Sequence, residues 1–226
     1  MIGTLINVVA VVAGTLLGLL FGKKITEEMR RVLTLGVGMC VVVLGLQSAL
    51  ATSNMMLVII AVVLGGVAGS LLKIEKGLDR MGDMLQKRFA RGGSRVGEGF
   101  VTATLIFCVG AMAITGALDS GLRGDHSTLV AKSVLDGVTS MVLASTMGWG
   151  VMLSAVAVLI YQGGIALAAS FVAPLLENAR MVTEMSAVGG VLIMGIGLNM
   201  IGMKERIPVG DLLPAIVMPT FLVLIM

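Results

Sequence analysis

The sequence predicts an all-α polytopic membrane protein with about eight transmembrane helices. Hydrophobic residues make up 57% of the 226 residues and charged residues only 13%. A water-soluble domain typically carries about 25% charged residues. The apolar residues also fall into stretches of about 20, the length that crosses a bilayer. We therefore expect one membrane domain, 1–226.

Eight apolar stretches reach a spanning length. The predicted spans are 2–22, 32–50, 55–72, 99–118, 128–148, 149–173, 185–203 and 210–226. The fifth and sixth spans almost touch, and Gly148 and Gly150 can supply a tight reversal between them. Pro208, Pro214 and Pro219 predict a kink or an unwound stretch in or beside the last span.

The distribution of basic residues supports this count. Eight crossings place thirteen of the 16 Lys and Arg residues on one side, and only Arg123 and Arg180 on the other; Lys132 lies within a span. The basic loops are 23–31, 73–98 and 204–209. Because cytoplasmic loops are enriched in Lys and Arg, these loops are expected in the cytoplasm. The sequence thus predicts a bacterial inner-membrane protein with both termini on the non-cytoplasmic side.

The segment 73–91 differs from the spans. Apolar residues recur there at helical spacing among charged ones, which predicts an amphipathic helix on the cytoplasmic face, followed by a flexible linker at 91–95. The helix either connects two halves of the protein or docks a partner or the lipid surface.

Two pairs of spans resemble each other. GVG at 36–38 and GLQ at 45–47 match GG at 189–190 and GIGLN at 195–199, and Gln47 lies 152 positions before Asn199. The stretch 3–10 likewise resembles 150–157. Five crossings separate the copies, so they enter the membrane from opposite sides. This predicts an inverted-topology repeat, as in many secondary transporters; chance similarity of Gly-rich apolar helices is the alternative.

The repeat divides the membrane domain into four parts. We expect repeat one at 1–72, the cytoplasmic amphipathic helix and linker at 73–98, central helices at 99–148 and repeat two at 149–226.

An acid and a base lie inside the fifth span. Lys132 and Asp136 are four residues apart and share a helix face with Ser133, Thr139 and Ser140. Ionisable groups at bilayer depth usually mark an ion or solute path. Asp136 is therefore a candidate coupling acid, with Lys132 as its counter-charge or an anion ligand. A buried structural ion pair is the alternative, and Lys132 reaching to the interface is a third.

Four amides lie in other spans. Gln162 precedes two glycines that can loosen the sixth span around a ligand, or simply allow close helix packing. Gln47 and Asn199 occupy matching positions in the repeats, where they can contact solute or form interhelical hydrogen bonds. Asn7 is expected to hold helices together by hydrogen bonding rather than to bind a ligand. The candidates for coupling and solute binding are Asp136, Lys132, Ser133, Thr139, Gln162, Gln47 and Asn199.

The loop after the fourth span carries Asp119, Asp125 and His126. These residues are candidates for an outer vestibule; an ordinary solvated loop is the alternative.

Several classes of function are disfavoured. No Cys/His cluster has metal-ligand spacing and no nucleophile–base set is visible, so we expect no metal, no cofactor and no enzymatic activity. Cys40 and Cys108 fall within spans and are expected to be buried. The net charge of +3 comes from loop residues, which argues against nucleic-acid binding.

Several runs together resemble one bacterial inner-membrane family. They are FCVGAMAITG at 107–116, DSG at 119–121, KSVLDG at 132–137 and YQG at 161–163. The chain is similar over its whole length to the family called domain of unknown function 554. The resemblance implies a transporter-like inverted-repeat architecture and draws attention to Lys132, Asp136 and Gln162, but it implies no particular solute.

Taken together, the sequence predicts a secondary transporter of a small polar or ionic solute, coupled to protons or sodium. A passive channel and a non-transporting scaffold or accessory subunit are the alternatives. Besides the lipid bilayer, the expected partner is a second copy of the chain. A homo-oligomer, with a dimer favoured, is expected. Small residues form helix-contact faces at Gly14, Gly18 and Gly22 and at Gly65 and Gly69, and these faces can serve contacts within one subunit or across a dimer.

Overall fold

The computed structural model describes residues 1–22, 26–77, 79–80, 84, 96–108, 111–169 and 178–225. All its long elements are helices. They are α1 (Ile2–Gly22), α2 (Glu27–Ala49), α3 (Met55–Leu72), α4 (Val96–Cys108), α5 (Ala111–Leu122), α6 (Ser127–Met147), α7 (Gly150–Leu167), α8 (Ala179–Ile201), the 3₁₀ helix η1 (Val209–Ile216) and α9 (Met218–Ile225).

Six helices among the described residues are long and apolar enough to cross a membrane. They are α1, α2 from Arg31, α3, α6, α7 and α8 from Arg180. The predicted fourth span corresponds to two helices, Val96–Cys108 and Met112–Leu122, bent by 61° with respect to each other; counted as one span, the pair makes seven. The all-α membrane class is confirmed, and the count of eight stays a prediction.

The predicted eighth span is a shorter apolar segment, Val209–Val223. Its first part is a 3₁₀ helix that contains Pro214. Proline has no N–H to donate and its ring clashes with the preceding turn, which disfavours an α-helix there. The interruption lies where the three prolines predict one.

The chain forms two compact units. The first contains α1, α4, α6, α7 and most of α5; the second contains most of α2 with α3, α8, η1 and α9. In the first unit, α1 packs against α6 and α7, and α4 packs against α7.

Glycines let α1 and α6 approach backbone to backbone. A Cβ added to Gly14 would lie 2.0 Å from the Gly137 carbonyl oxygen, and one added to Gly18 would lie 2.2 Å from that of Met141. Further towards the start of α1, Gly3 faces Leu129. Residue numbers rise together along the two helices at successive contacts, so α1 and α6 run in the same direction. Gly148, with a φ of +85°, ends α6 two residues before α7 begins.

In the second unit, α2 and α8 make a similar contact in the opposite sense. A Cβ on Gly45 would lie 2.6 Å from the Gly190 carbonyl oxygen, and one on Gly197 would lie 2.7 Å from that of Gly38. Because residue numbers rise along α2 while those of their contacts on α8 fall, these helices are antiparallel. Gly65 and Gly69 of α3 likewise approach Ala215 and Asp211 of η1. These glycine faces are occupied within the chain, so the predicted oligomer needs a different surface.

Polar contacts tie the end of α3 to η1 in the second unit. The Glu75 carboxylate accepts from the Gly210 N–H at 2.6 Å, and the Glu75 N–H donates to Asp211 at 2.8 Å. Arg206 lies 3.5 Å from Glu75 and 3.2 Å from Asp79. Burial raises the pKa of Glu75 above its usual range, although the Gly210 N–H and Arg206 oppose the rise.

The predicted amphipathic helix is described only in part. Lys73 ends α3 with a φ of +55°, and residues 74–77 are helical again. Residue 78, residues 81–83, residues 85–91 and the linker 91–95 lie outside the described residues.

The expectation of buried cysteines is wrong for Cys40. Its side chain is exposed on α2, whereas Cys108 is half-buried, and both are free thiols. The reason is that α2 packs through Gly38 and Gly45, which leaves Cys40 on a face that also exposes Met39 and Val43.

We predict that Gly14→Ala destabilises the protein by about 1–3 kcal/mol, because the added methyl must push apart two helix backbones. Thermal unfolding in detergent micelles measures the change. The matched control is Gly36→Ala on α2, where an added Cβ meets nothing within 4 Å. That control is expected to be stabilising by about 0.5–1 kcal/mol, because alanine favours the helix. Equal midpoints for the two variants would contradict the prediction.

Candidate functional site

The centre of the candidate site is an ion pair on α6. The Lys132 ammonium lies 2.7 Å from Oδ1 and 2.6 Å from Oδ2 of Asp136. The two residues are only 7% and 5% exposed. The i, i+4 spacing predicted from the sequence therefore produces a direct contact in the interior of the first unit.

Two other helices of this unit complete the site. The side-chain NH₂ of Asn7, on α1, donates to Asp136 Oδ2 at 2.9 Å and to Gln162 Oε1, on α7, at 3.2 Å. Asn7 and Gln162 are fully buried. We call Asn7, Lys132, Asp136 and Gln162 the Asp136 cluster.

The network determines which way both amides point. A carboxylate only accepts hydrogen bonds, so Asn7 must turn its NH₂ group towards Asp136. The same NH₂ group faces Gln162, so Gln162 must present its oxygen. The oxygen of Asn7 and the NH₂ group of Gln162 are consequently directed elsewhere.

The glycine contact explains why the cluster forms. Gly137 directly follows Asp136 and is the residue that Gly14 touches. Asn7 lies seven residues before Gly14, on the same face of α1, as its burial together with Val11 and Gly14 indicates. Close backbone approach thus brings a short amide within reach of the carboxylate. Phe107 of α4 flanks the pair, with its ring centroid 6.0 Å from the Lys132 ammonium.

Several buried polar atoms of this unit have no hydrogen-bond partner among the described residues. They include Asn7 Oδ1, Gln162 Nε2 and the hydroxyls of Thr4, Thr15 and Ser140. Thr4 precedes Asn7 by one helical turn, and Ser140 follows Asp136 by one turn. Most buried polar groups in proteins are bonded to protein or water. These atoms therefore mark places on both sides of the ion pair where water or a solute would find partners.

The remaining predicted residues are placed differently. Ser133 is buried but donates to the Leu129 carbonyl on its own helix at 2.6 Å, and Thr139 is half-buried. Gln47 and Asn199 belong to the second unit. Gln47 is exposed on α2, whereas the Asn199 side chain makes two hydrogen bonds to the backbone of Ile207, at 2.9 and 2.8 Å.

The outer-loop candidates form short local contacts. Asp119 pairs with the exposed Arg123 at 3.1 Å, and the His126 ring nitrogen Nδ1 lies 2.9 Å from the Ser120 hydroxyl. The exposed Asp125 accepts from the Ser127 N–H at 2.9 Å, and this bond lowers the pKa of Asp125 below its usual range. The structure therefore does not include these three residues in the Asp136 cluster.

The structure agrees with the expectation that Asn7 links helices, since its side chain bonds to α6 and α7. Sequence reasoning missed Glu184. Glu184 is fully buried in α8 and accepts hydrogen bonds from the Thr52 hydroxyl, from Ser53 N at 3.0 Å and from Ser53 Oγ at 2.9 Å. The predicted span began at 185, which left this acid in a loop, but α8 begins at Ala179. The N-cap residue Asn178, whose side chain accepts from Met181 N, is the signal that could have found the earlier start.

The described part of the chain holds no group of three or more His, Cys, Asp or Glu side chains arranged to bind a metal ion.

We predict that Lys132→Met and Asp136→Leu each cost about 3–5 kcal/mol, because each leaves a buried charge without its partner. The double variant is expected to recover most of that loss, because it removes both charges. Unfolding of the four proteins in detergent gives the coupling energy. The matched control is the exposed i, i+4 pair Asp119 and Arg123, whose coupling is expected to be about 0–1 kcal/mol. Additive losses at Lys132 and Asp136 would contradict the prediction.

Comparison with known proteins supports the resemblance seen in the sequence. The chain is 31% identical over 229 residues to an uncharacterized membrane protein of Bacillus subtilis, YdfK, covering 100% of this chain and 96% of that one. It is 32% identical over 222 residues to an uncharacterized protein of Escherichia coli, YqgA, covering 96% and 94%. No solved structure matches the chain significantly. The family described as a protein of unknown function, DUF554, matches residues 2–224, and the chain belongs to this family.

Proposed function

We propose that this protein is a secondary transporter of a small polar or ionic solute, coupled to protons or sodium. Asp136 is the coupling acid and Lys132 is its counter-charge. The observation that carries the proposal is a buried ion pair, linked to α1 and α7 by Asn7 and Gln162, with unpartnered polar atoms nearby.

The unpartnered atoms favour transport over a purely structural ion pair. A structural polar network in a protein interior is stabilising only when its members are satisfied. Among the described residues, Asn7 Oδ1 and Gln162 Nε2 have no hydrogen-bond partner, although both side chains are fully buried. Water or a solute that joined this network would supply partners for these atoms, as a transport site requires.

The contact between α2 and α8 supports the inverted repeat. The sequence offset of 152 makes Gly38 equivalent to Gly190 and Gly45 equivalent to Gly197. The contacts join Gly38 with Gly197 and Gly45 with Gly190. If each glycine is replaced by its equivalent in the other repeat, one contact becomes the other. A two-fold axis between the two helices gives this pattern. The offset found in the sequence thus agrees with the contact register, which supports the proposed repeat.

The loop contacts of the second unit support the proposed sidedness. Thr52 and Ser53, predicted to lie outside the cytoplasm, contact Glu184 at the predicted outer end of α8. Glu75, predicted to be cytoplasmic, contacts Arg206 of the predicted cytoplasmic loop. These contacts agree with the predicted grouping of the loops, and from the distribution of basic residues we propose a bacterial inner-membrane location with both termini outside the cytoplasm.

Cysteine labelling tests this sidedness in a background that carries Cys40→Ala and Cys108→Ala. We predict that a membrane-impermeant maleimide labels Asp125→Cys in intact spheroplasts. Glu205→Cys, at an exposed position of the loop after α8, is expected to react only after the membrane is permeabilised. The reverse pattern, or labelling of both from one side, would exclude the proposed topology.

We predict that Asp136→Asn abolishes proton- or sodium-coupled solute movement, because the amide cannot take up and release a proton or balance a cation. The measurement is solute-driven proton and sodium flux into liposomes that hold the purified protein. Glu205→Gln, a carboxyl-to-amide change at an exposed position, is the matched control and should behave as wild type.

The alternatives give different results in the same assay. Uncoupled, non-saturating flux indicates a passive channel. Absence of any flux from a folded wild-type protein indicates a scaffold or accessory role. Normal coupled flux in Asp136→Asn, at a normal protein level, would reject Asp136 as the coupling acid.

A further inference from the structure

We infer that the Asp136 cluster binds one small monovalent anion together with one proton, so that the solute is a monovalent anion such as a monocarboxylate. The inference rests on the proposed function and specifies both solute and coupling ion. It follows from the charge balance of the cluster and from the donors that remain unused.

Charge neutrality requires the two to enter together. The resting pair of Lys132 and Asp136 carries no net charge, and both residues are almost fully buried. An anion alone would make the site negative, and a proton alone would make it positive. Either net charge is strongly disfavoured away from water. When a proton from water binds Asp136 and an anion binds Lys132, the site is neutral again; the O–H bond of the acid is the one covalent bond formed, and an O–H bond of the aqueous proton donor is broken.

The available hydrogen-bond donors fit an anion. An ammonium group has three N–H donors. Protonation of Asp136 makes its two oxygens weaker acceptors for the Lys132 N–H groups that contact them. Gln162 adds an NH₂ group that has no partner among the described residues, and Gln162 is linked to Asp136 through Asn7. The hydroxyls of Thr4 and Ser140 can each donate a further bond. The unpartnered oxygen of Asn7 can accept from a hydroxyl on the solute.

The same inventory disfavours sodium at this position. The Lys132 ammonium already contacts both carboxylate oxygens, and the Asn7 NH₂ group contacts one of them. To bind Asp136, sodium would have to displace the Lys132 ammonium, which is part of the same helix and would stay close to the bound sodium. Oxygens such as Asn7 Oδ1 can coordinate a cation, but the unpartnered NH₂ group of Gln162 is a donor only and favours an anion.

The other titratable groups near the pair are few. On α6 they are Lys132 itself and His126 at the N-cap of the helix. From α4, Cys108 lies within electrostatic range of Lys132 and Asp136, and Glu98 lies ten residues earlier on that helix. From α7, Tyr161 lies near Cys108. Helix α1 has no titratable side chain. Among the described residues, Asp136 is the only carboxylic acid paired with Lys132.

The experiment uses wild-type protein in liposomes that contain a pH-sensitive dye, with the membrane potential clamped by potassium and valinomycin. Inward gradients of lactate, glycolate, formate and nitrate are compared with those of choline and erythritol, and protein-free liposomes give the background. We expect saturable acidification of the lumen with at least one monovalent anion, one proton per anion, and no dependence on the membrane potential.

The variants separate anion binding from proton coupling. Asp136→Asn resembles the protonated acid and retains Lys132, so exchange of labelled for unlabelled anion should persist while net proton uptake falls to background. Lys132→Gln should lose both activities. Glu205→Gln, outside the cluster, should match wild type. Wild-type selectivity and stoichiometry test the inference even if a cluster variant does not fold.

The outcomes are distinguishable. Coupled transport of choline or erythritol, or anion movement driven by sodium without protons, would overturn the anion assignment and leave the proposed function in place. No solute-dependent flux with any of these compounds or with the wider solute pool, from folded wild-type protein, would overturn both.

Discussion

The first unit depends on the close contact between α1 and α6. Gly14 meets the Gly137 carbonyl at a separation that excludes even a methyl group. Only at that separation can the short side chain of Asn7 reach Asp136 and, at the same time, Gln162 on a third helix. The packing of two small residues therefore determines the electrostatic environment of a charge one residue away. In a lipid environment, where the hydrophobic effect does not drive helices together, such backbone contacts are a main source of association.

The buried ion pair also depends on the contact between α1 and α6. An ion pair in the interior loses the solvation of both ions and recovers it only through good geometry and additional hydrogen bonds. The Asp136 carboxylate has both, since Lys132 contacts its two oxygens and Asn7 adds a bond to one. The amides themselves are not fully bonded within the described chain. Within the described residues, the charged groups of the cluster are paired, whereas its amides keep unbonded atoms. A solute entering the proposed site would therefore meet no unpaired ion.

The sequence predicts those parts of the site that depend on local spacing. Lys132 and Asp136 are four residues apart on one helix, so their contact follows from helix geometry alone. Gln162 is conspicuous as an amide in an apolar run. The bond between Asn7 and Asp136 joins positions 129 apart and depends on which helices pack together, which apolar composition does not specify. The helix boundaries show the same limit. Six spans agree with their apolar stretches, whereas the last one is a 3₁₀ helix because of its prolines, and Glu184 belongs to a helix that begins earlier than its apolar run.

Among the described residues, the buried acids Asp136 and Glu184 have different partners, and the difference bears on the proposed coupling role. Glu184 accepts from two hydroxyls and a backbone N–H of one loop, all neutral donors. A solute that displaced them would break three bonds within the protein and leave the carboxylate charge as it was. Asp136 is paired instead with a cation on its own helix. Any change of charge at Asp136 exposes the charge of Lys132, which then favours an anion, so binding at one group alters binding at the other. Coupling requires that reciprocity, and the partners of Asp136 supply it whereas those of Glu184 do not.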